Sequence, residues 1–143
     1  MTELVLDASV ATKWAVPGIL EPLAEQADDL LRQYTDGQIN LLVPDLFWSE
    51  IANALWKAAR RGRISAETAD DALAEMIARD FPTIPSRDVL DRALTIAVQF
   101  DRSVYDSLYV ALAVARKTQL ITADERLANA LAARLPVKWL GAF

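Results

Sequence analysis

Four acidic residues stand at positions where packing alone would favour an apolar side chain. Asp7 and Asp124 each follow a short apolar run, Glu50 interrupts a Phe-, Trp- and Ile-rich helix, and Asp106 enters a segment of Ala, Val and Leu. Isolated buried carboxylates are costly, and metal coordination is a common way to stabilise several of them together. In α/β sheets, ligands collect at the carboxyl ends of the strands. The four positions therefore predict a shared acidic pocket.

The chemistry of this pocket is restricted because the chain contains no His and no Cys. The usual zinc ligands are missing, and so is the side chain most often used for acid–base catalysis near neutral pH. The side chains that remain would bind a metal through oxygen atoms. Carboxylates accompanied by hydroxyls such as those of Ser9, Ser107 and Thr122 suit hard cations such as Mg²⁺ or Mn²⁺, which leave positions for water and phosphate. We therefore expect a Mg²⁺ site, with Mn²⁺ as the alternative ion.

Length and composition predict one domain spanning residues 1–143. The chain is long enough to bury a core, and 53% of its residues are hydrophobic. It lacks both a stretch of about 18 apolar residues and the basic start of a signal peptide, so we expect a cytoplasmic protein with no membrane contact. The net charge of −5 argues against broad, nonspecific attraction to nucleic acid. A polyanion would have to be bound locally.

The elements that must position the acidic residues alternate between strand and helix. This order predicts an α/β fold, a three-layer α/β/α sandwich around a short central parallel sheet. The predicted strands cover residues 4–6, 41–43, 83–84, 120–122 and 137–140, and the predicted helices cover 10–16, 20–35, 45–61, 65–79, 87–100, 104–117 and 124–134.

Each acidic residue also has a purely structural interpretation. Asp7 and Asp124 could cap the helices that follow them, because Asp is favoured at the N-cap. Asp106 follows Ser103 at the spacing of a capping box, although Glu or Gln is the preferred residue at its far end. Against capping, the segment after Asp106 is almost entirely apolar, which predicts a buried helix with this carboxylate facing inward.

The helix that carries Glu50 has a narrow polar stripe. Glu50, Asn53, Lys57 and Arg61 lie on one side of an otherwise apolar helix. The stripe could be a solvated face, or it could bring Glu50 and Asn53 to a site. The end of this helix is basic, with Lys57, Arg61 and two neighbouring arginines, Arg60 and Arg63. This cluster could offset the partial negative charge of the helix C-terminus or contact a phosphate backbone.

Together these segments resemble a known family. Val5-Leu6-Asp7-Ala8-Ser9, then Glu50 with Asn53, then Tyr105-Asp106-Ser107-Leu108-Tyr109, then Ile121-Thr122-Ala123-Asp124 are similar in order and spacing to a PIN-domain ribonuclease. More narrowly, they resemble the VapC toxins of prokaryotic toxin–antitoxin pairs. The resemblance runs from the first predicted strand to the last, and each motif alone is common.

The resemblance implies an activity, a ligand set and partners. In that family, residues at the positions of Asp7 and Asp106 are the usual metal ligands. Those at Glu50 and Asp124 complete the pocket, often through water, and Ser9 and Thr122 stand at positions that supply hydroxyls. It implies hydrolysis of RNA phosphodiester bonds by metal-activated water, an antitoxin whose C-terminal segment covers the groove, and a homodimer.

Two other classes of protein remain open from the residues. In the first, Asp7 is the nucleophile of a phosphotransferase or phosphohydrolase. Asp7-Ala8-Ser9 lacks the second aspartate expected in dehalogenase-like phosphatases, which argues against this alternative. In the second, the carboxylates are helix caps and an apolar groove binds a protein, without catalysis.

Overall fold

A five-stranded parallel sheet forms the centre of the molecule. The computed structural model describes residues 2–16 and 22–143. In these two ranges the chain forms five strands, β1 to β5, at Thr2–Leu6, Ile39–Pro44, Thr83–Ile84, Gln119–Thr122 and Val137–Trp139. The same ranges contain seven α-helices, α1 to α7, at Ala8–Ala15, Ala24–Thr35, Leu46–Arg60, Ala66–Ala78, Leu90–Phe100, Val104–Ala115 and Glu125–Leu131.

The strands lie in the order β3-β2-β1-β4-β5, and every neighbouring pair is parallel. The strand order reverses direction at β1, so right-handed crossovers place α1 to α4 on one face of the sheet and α5 to α7 on the other. Contacts agree, because α1 packs against α2 and α3 while α5 packs against α6. The predicted α/β/α sandwich with a parallel sheet is confirmed.

The sheet is apolar on both faces because both are covered by helices. Val5, Leu6, Leu41, Leu42 and Leu120 are fully buried. Such strands have no polar alternation, which is why they appear in the sequence as short, continuous apolar runs. Across the sheet, α6 is buried along most of its length and contacts β1, β2 and β4.

Most element boundaries differ from the predicted ones by only a few residues. The predicted helix 87–100 begins instead as a 3-10 turn, Ser86–Val89, before α5 starts. Pro44 is the last residue of β2, and α3 begins two residues later at Leu46. The start of the predicted helix 20–35 falls partly outside the described residues, and α2 begins at Ala24. In the ranges 2–16 and 22–143, no helix is long and apolar enough to cross a membrane.

The central strands bring the ends of two acidic segments together. Leu6, the last residue of β1, pairs with Ile121 of β4, and the backbone N–H of Asp7 donates to the Ile121 carbonyl at 3.1 Å. Because β1 and β4 are parallel neighbours, the residues that follow them emerge at the same edge of the sheet. This edge is where the candidate site lies.

Candidate functional site

Asp7 is the centre of the site. Its Oδ2 accepts hydrogen bonds from Ser9 Oγ at 2.9 Å and from Thr122 Oγ1 at 2.7 Å. Asp7 occupies the N-cap position of α1, but capping does not explain a contact with Thr122, which comes from a different strand. Burial raises the pKa of the Asp7 carboxyl, the two hydroxyls lower it, and the charge of Asp106 adds a smaller upward effect. The net direction is upward, so burial outweighs the two hydroxyl bonds.

The two hydroxyls are themselves oriented by backbone groups. Ser9 Oγ accepts from the N–H of Ala123 at 3.0 Å, and Thr122 Oγ1 accepts from the N–H of Asp124 at 3.0 Å. Since each oxygen already accepts a backbone N–H, its own proton is directed towards Asp7. The turn after β4 therefore holds Asp7 in one position, and Thr122 is fully buried in doing so.

Glu50 reaches the site from α3. Tyr109, on α6, donates its hydroxyl to Glu50 Oε1 at 2.5 Å. Burial raises the pKa of Glu50, the Tyr109 bond lowers it, and the charges of Asp7 and Asp106 raise it. Glu50 is therefore not part of a simple solvated stripe, because a residue on the opposite face of the sheet holds it and the other carboxylates repel it.

Asp106 lies in the first turn of α6. Ser103 caps this helix, its Oγ accepting from the Asp106 N–H at 3.1 Å, so the predicted Ser103 cap exists. The Asp106 carboxylate has other neighbours. Burial raises its pKa, the charge of Asp124 raises it further, and the positive charge of Arg102 lowers it. Asp106 therefore faces the acidic group as well as occupying the capped turn.

Asp124 caps a helix and also lies near the other acidic residues. Its Oδ1 accepts from the N–H of Leu127 at 3.1 Å, which makes it a true N-cap of α7. Its charge is also close enough to Asp106 to raise the pKa of that carboxyl. Capping with one oxygen leaves the second oxygen available to the pocket.

Asn53 lies one helical turn beyond Glu50 on α3 and is exposed. It lines the same open cavity as Ser9 and Glu50, which is where the sequence places it. The structure thus brings all four predicted acidic residues and the three predicted supporting residues to one edge of the sheet. Their roles in catalysis remain predictions.

The donor set fits a hard divalent cation. It is composed of oxygen atoms alone, and Asp7, Glu50 and Asp106 all have raised pKa values because charged carboxylates have been buried near one another. Among the described residues, no group of three carboxylates is arranged so that it could hold a metal ion. Mg²⁺ does not need one, because it keeps several waters and is commonly bound through one or two carboxylates.

Two residues of the site were not predicted from the sequence. Tyr109 follows Asp106 by three residues and so shares its face of α6, a spacing that could have indicated its position. Arg102 precedes α6, and nothing in the sequence distinguishes it from the other arginines. Its positive charge lowers the pKa of the Asp106 carboxyl.

Comparison with known proteins agrees with this geometry. The PIN domain family matches residues 4–131. Ribonuclease VapC3 of Pyrobaculum aerophilum is 35% identical over 129 residues, which cover 89% of this chain and 93% of the relative. Ribonuclease VapC9 of Mycobacterium tuberculosis is 36% identical over 97 residues, 68% of this chain and 75% of the relative.

Solved structures share the fold. PAE2754 from Pyrobaculum aerophilum superposes with a TM-score of 0.70 at 23% identity, covering 98% of this chain and 90% of that one. A chain of VapBC2 from Rickettsia felis, bound to a DNA fragment from its promoter, superposes with a TM-score of 0.67 at 12% identity, covering 96% and 98%. At these identities the likeness concerns the fold alone. The family match and the similarity to VapC3 together establish that this chain belongs to the PIN-domain family and, within it, to the VapC ribonucleases.

Proposed function

We propose that this protein is a Mg²⁺-dependent endoribonuclease, with Mn²⁺ as a competent substitute, and that its active centre is the acidic site around Asp7. The observation that carries the proposal is the mutual approach of Asp7, Glu50 and Asp106, each with its pKa raised by burial and by another carboxylate. A cluster of this kind is costly unless a cation and a substrate make use of it. Membership of a ribonuclease family identifies the substrate as RNA.

The residues divide the work as follows. Asp7 and Asp106 would hold the ion, and Ser9 and Thr122 keep the Asp7 carboxylate in one orientation through its Oδ2. When bound, a divalent ion supplies Lewis-acid stabilisation of the phosphodiester and lowers the pKa of the attacking water. Glu50, fixed by Tyr109, and the free oxygen of Asp124 order water at the opening. Asn53 donates or accepts a hydrogen bond at the rim of the same cavity.

The biological role that we propose is the toxin of a toxin–antitoxin pair. Relatives named VapC and solved toxin–antitoxin complexes of the same fold support this role. The expected protein partner is a VapB-like antitoxin that covers the groove at the acidic site. We further propose a homodimer. On α5, Leu90, Leu94 and Val98 form an apolar stripe and are 45%, 57% and 77% exposed, a surface that a second copy would cover.

The test is cleavage of single-stranded and structured RNA by purified, antitoxin-free protein in Mg²⁺, Mn²⁺ or EDTA. Asp7→Asn and Asp106→Asn serve as site variants, and Asp71→Asn, an exposed aspartate on α4, is the matched control. We expect metal-dependent cleavage that both site variants lose and the control retains. Cleavage that persists in both site variants would refute the assignment.

A further inference from the structure

A groove between α1 and α3 leads away from the acidic site and is basic. Lys57, Arg61 and Arg63 line it, over a floor that includes Thr12, Ala54 and Ala58. Three of these residues, Thr12, Ala54 and Lys57, also line the cavity that contains Ser9, Glu50 and Asn53. The two hollows are therefore continuous. We call the first the basic groove.

The cations of the basic groove are exposed to solvent. Within the described ranges, the side chains of Lys57, Arg61 and Arg63 form no ion pair and no hydrogen bond. Arg60, from the same basic cluster, is different. Its guanidinium lies over the Trp56 ring at 5.3 Å from the ring centre, and it does not line the groove. Among the described residues, the cluster therefore divides into three cations without a side-chain partner along one path and one cation over an aromatic ring.

Two of these cations follow the axis of α3, and Arg63 lies beyond the end of the helix. At a rise of about 1.5 Å per residue, Lys57 lies about 10 Å and Arg61 about 16 Å along α3 from Glu50. A polyanion that runs along the groove away from the acidic site would meet Lys57 first and Arg61 next. The small side chains of Ala54 and Ala58 let such a ligand approach the helix closely.

We propose that the basic groove binds the phosphate backbone of single-stranded RNA on one side of the bond that is cleaved. This inference rests on the proposed ribonuclease function and adds the path of the substrate. It also explains how a chain with a net charge of −5 and an acidic centre can bind a polyanion, since attraction is supplied locally beside the carboxylates. We favour a single strand over a duplex because a flexible backbone can bend out of the groove and bring one phosphate to the partly buried carboxylates.

The test measures the binding and cleavage of one probe, a fluorescein-labelled single-stranded RNA dodecamer of mixed sequence. The variants are the triple change Lys57→Gln, Arg61→Gln, Arg63→Gln and the control Arg60→Gln. Each phosphate contact contributes about 0.7 to the slope of log K against log salt, so the triple variant should lose about 2 from this slope between about 50 and 200 mM salt. Its KM should rise with kcat unchanged, while Arg60→Gln behaves as the parent protein does.

The outcomes distinguish failure of the groove proposal from failure of the proposed function. If the parent protein cleaves RNA and the triple variant keeps the same salt slope and KM, the groove proposal is wrong and the proposed function stands. If the parent protein shows no metal-dependent cleavage but its salt slope still depends on the three cations, the function fails and the groove binds RNA without it. Equal binding of the same dodecamer annealed to its complement, or preferential binding of a poly-glutamate peptide, would overturn the assignment to single-stranded RNA.

Discussion

Replacing Asp7 by Asn should make the metal-free protein more stable. The Asp7 Oδ2 atom accepts both hydroxyl bonds, so an Asn amide oxygen in the same place keeps two acceptor interactions. What the substitution removes is a carboxylate charge that burial and Asp106 disfavour. Because the pKa of Asp7 is raised, the fold disfavours the charged form of this side chain relative to the unfolded chain. A neutral isostere should therefore stabilise it.

The magnitude follows from two opposing contributions. Burying a charge in a protein costs several kcal/mol, and two hydrogen bonds to a charged group lose about 2 kcal/mol in total when the group becomes neutral. The residue keeps some exposure, so we expect a net gain of about 1–3 kcal/mol at pH 7. For a chain of this length that corresponds to a rise in Tm of about 3–9 °C.

The assay is thermal unfolding followed by circular dichroism, in EDTA and in excess Mg²⁺. The parent protein should gain stability from Mg²⁺, by about 2.7 kcal/mol when the ion is present at about 100 times its Kd, whereas Asp7→Asn should gain almost none. Asp71→Asn, the exposed control, should change stability by less than about 0.5 kcal/mol and should respond to Mg²⁺ as the parent does. A lower Tm for Asp7→Asn in EDTA, or a full Mg²⁺ response, would refute the reasoning.

Three further predictions follow from the same contacts. In EDTA, the raised pKa values of Asp7, Glu50 and Asp106 stabilise the folded state at pH values below the ordinary carboxyl pKa, and this stabilisation should be lost as pH rises through the folded-state pKa values. Urea unfolding measured from acidic to neutral pH should show the decrease in the free energy of unfolding. The decrease should be smaller in Asp7→Asn. Tyr109→Phe removes the hydroxyl that fixes Glu50, so we expect a loss of about 1 kcal/mol in the free energy of unfolding and a fall in kcat, with KM little changed. A kcat equal to that of the parent protein would show that Tyr109 has no role in the reaction. Leu94→Glu places a charge in the exposed stripe of α5 and should convert a homodimer into a monomer in sedimentation experiments, whereas Glu75→Gln on α4 should leave the dimer intact.

Much of the fold could be predicted because it depends on short-range patterns. Continuous apolar runs such as Leu41-Leu42-Val43 are typical of strands covered on both faces, and Ser65 and Gly62 mark helix boundaries through a cap and a left-handed turn at φ +73. The 3-10 turn before Leu90 was not predicted. A 3-10 turn and the first turn of an α-helix have similar residue preferences, so composition does not separate them.

Most residues of the site were predicted from the sequence, but the contacts between them were not. Asp7 and Asp124 stood out because each follows a buried strand, and parallel strands end at one edge. The link between Glu50 and Tyr109 joins helices on opposite faces of the sheet, and no local pattern encodes such a contact. The division of the basic cluster, with Arg60 over Trp56 and Lys57 in the groove, likewise depends on side-chain directions that appear only in three dimensions.

The most direct test of the account is the position of a divalent ion in the protein. Crystals grown with Mn²⁺ should give an anomalous diffraction peak in contact with carboxylate oxygens of both Asp7 and Asp106, and the peak should be absent from crystals of Asp7→Asn. A peak at saturating Mn²⁺ that lies elsewhere, or a protein that cleaves RNA with no ion at these two residues, would contradict the central claim that this acidic site is a metal-dependent nuclease centre.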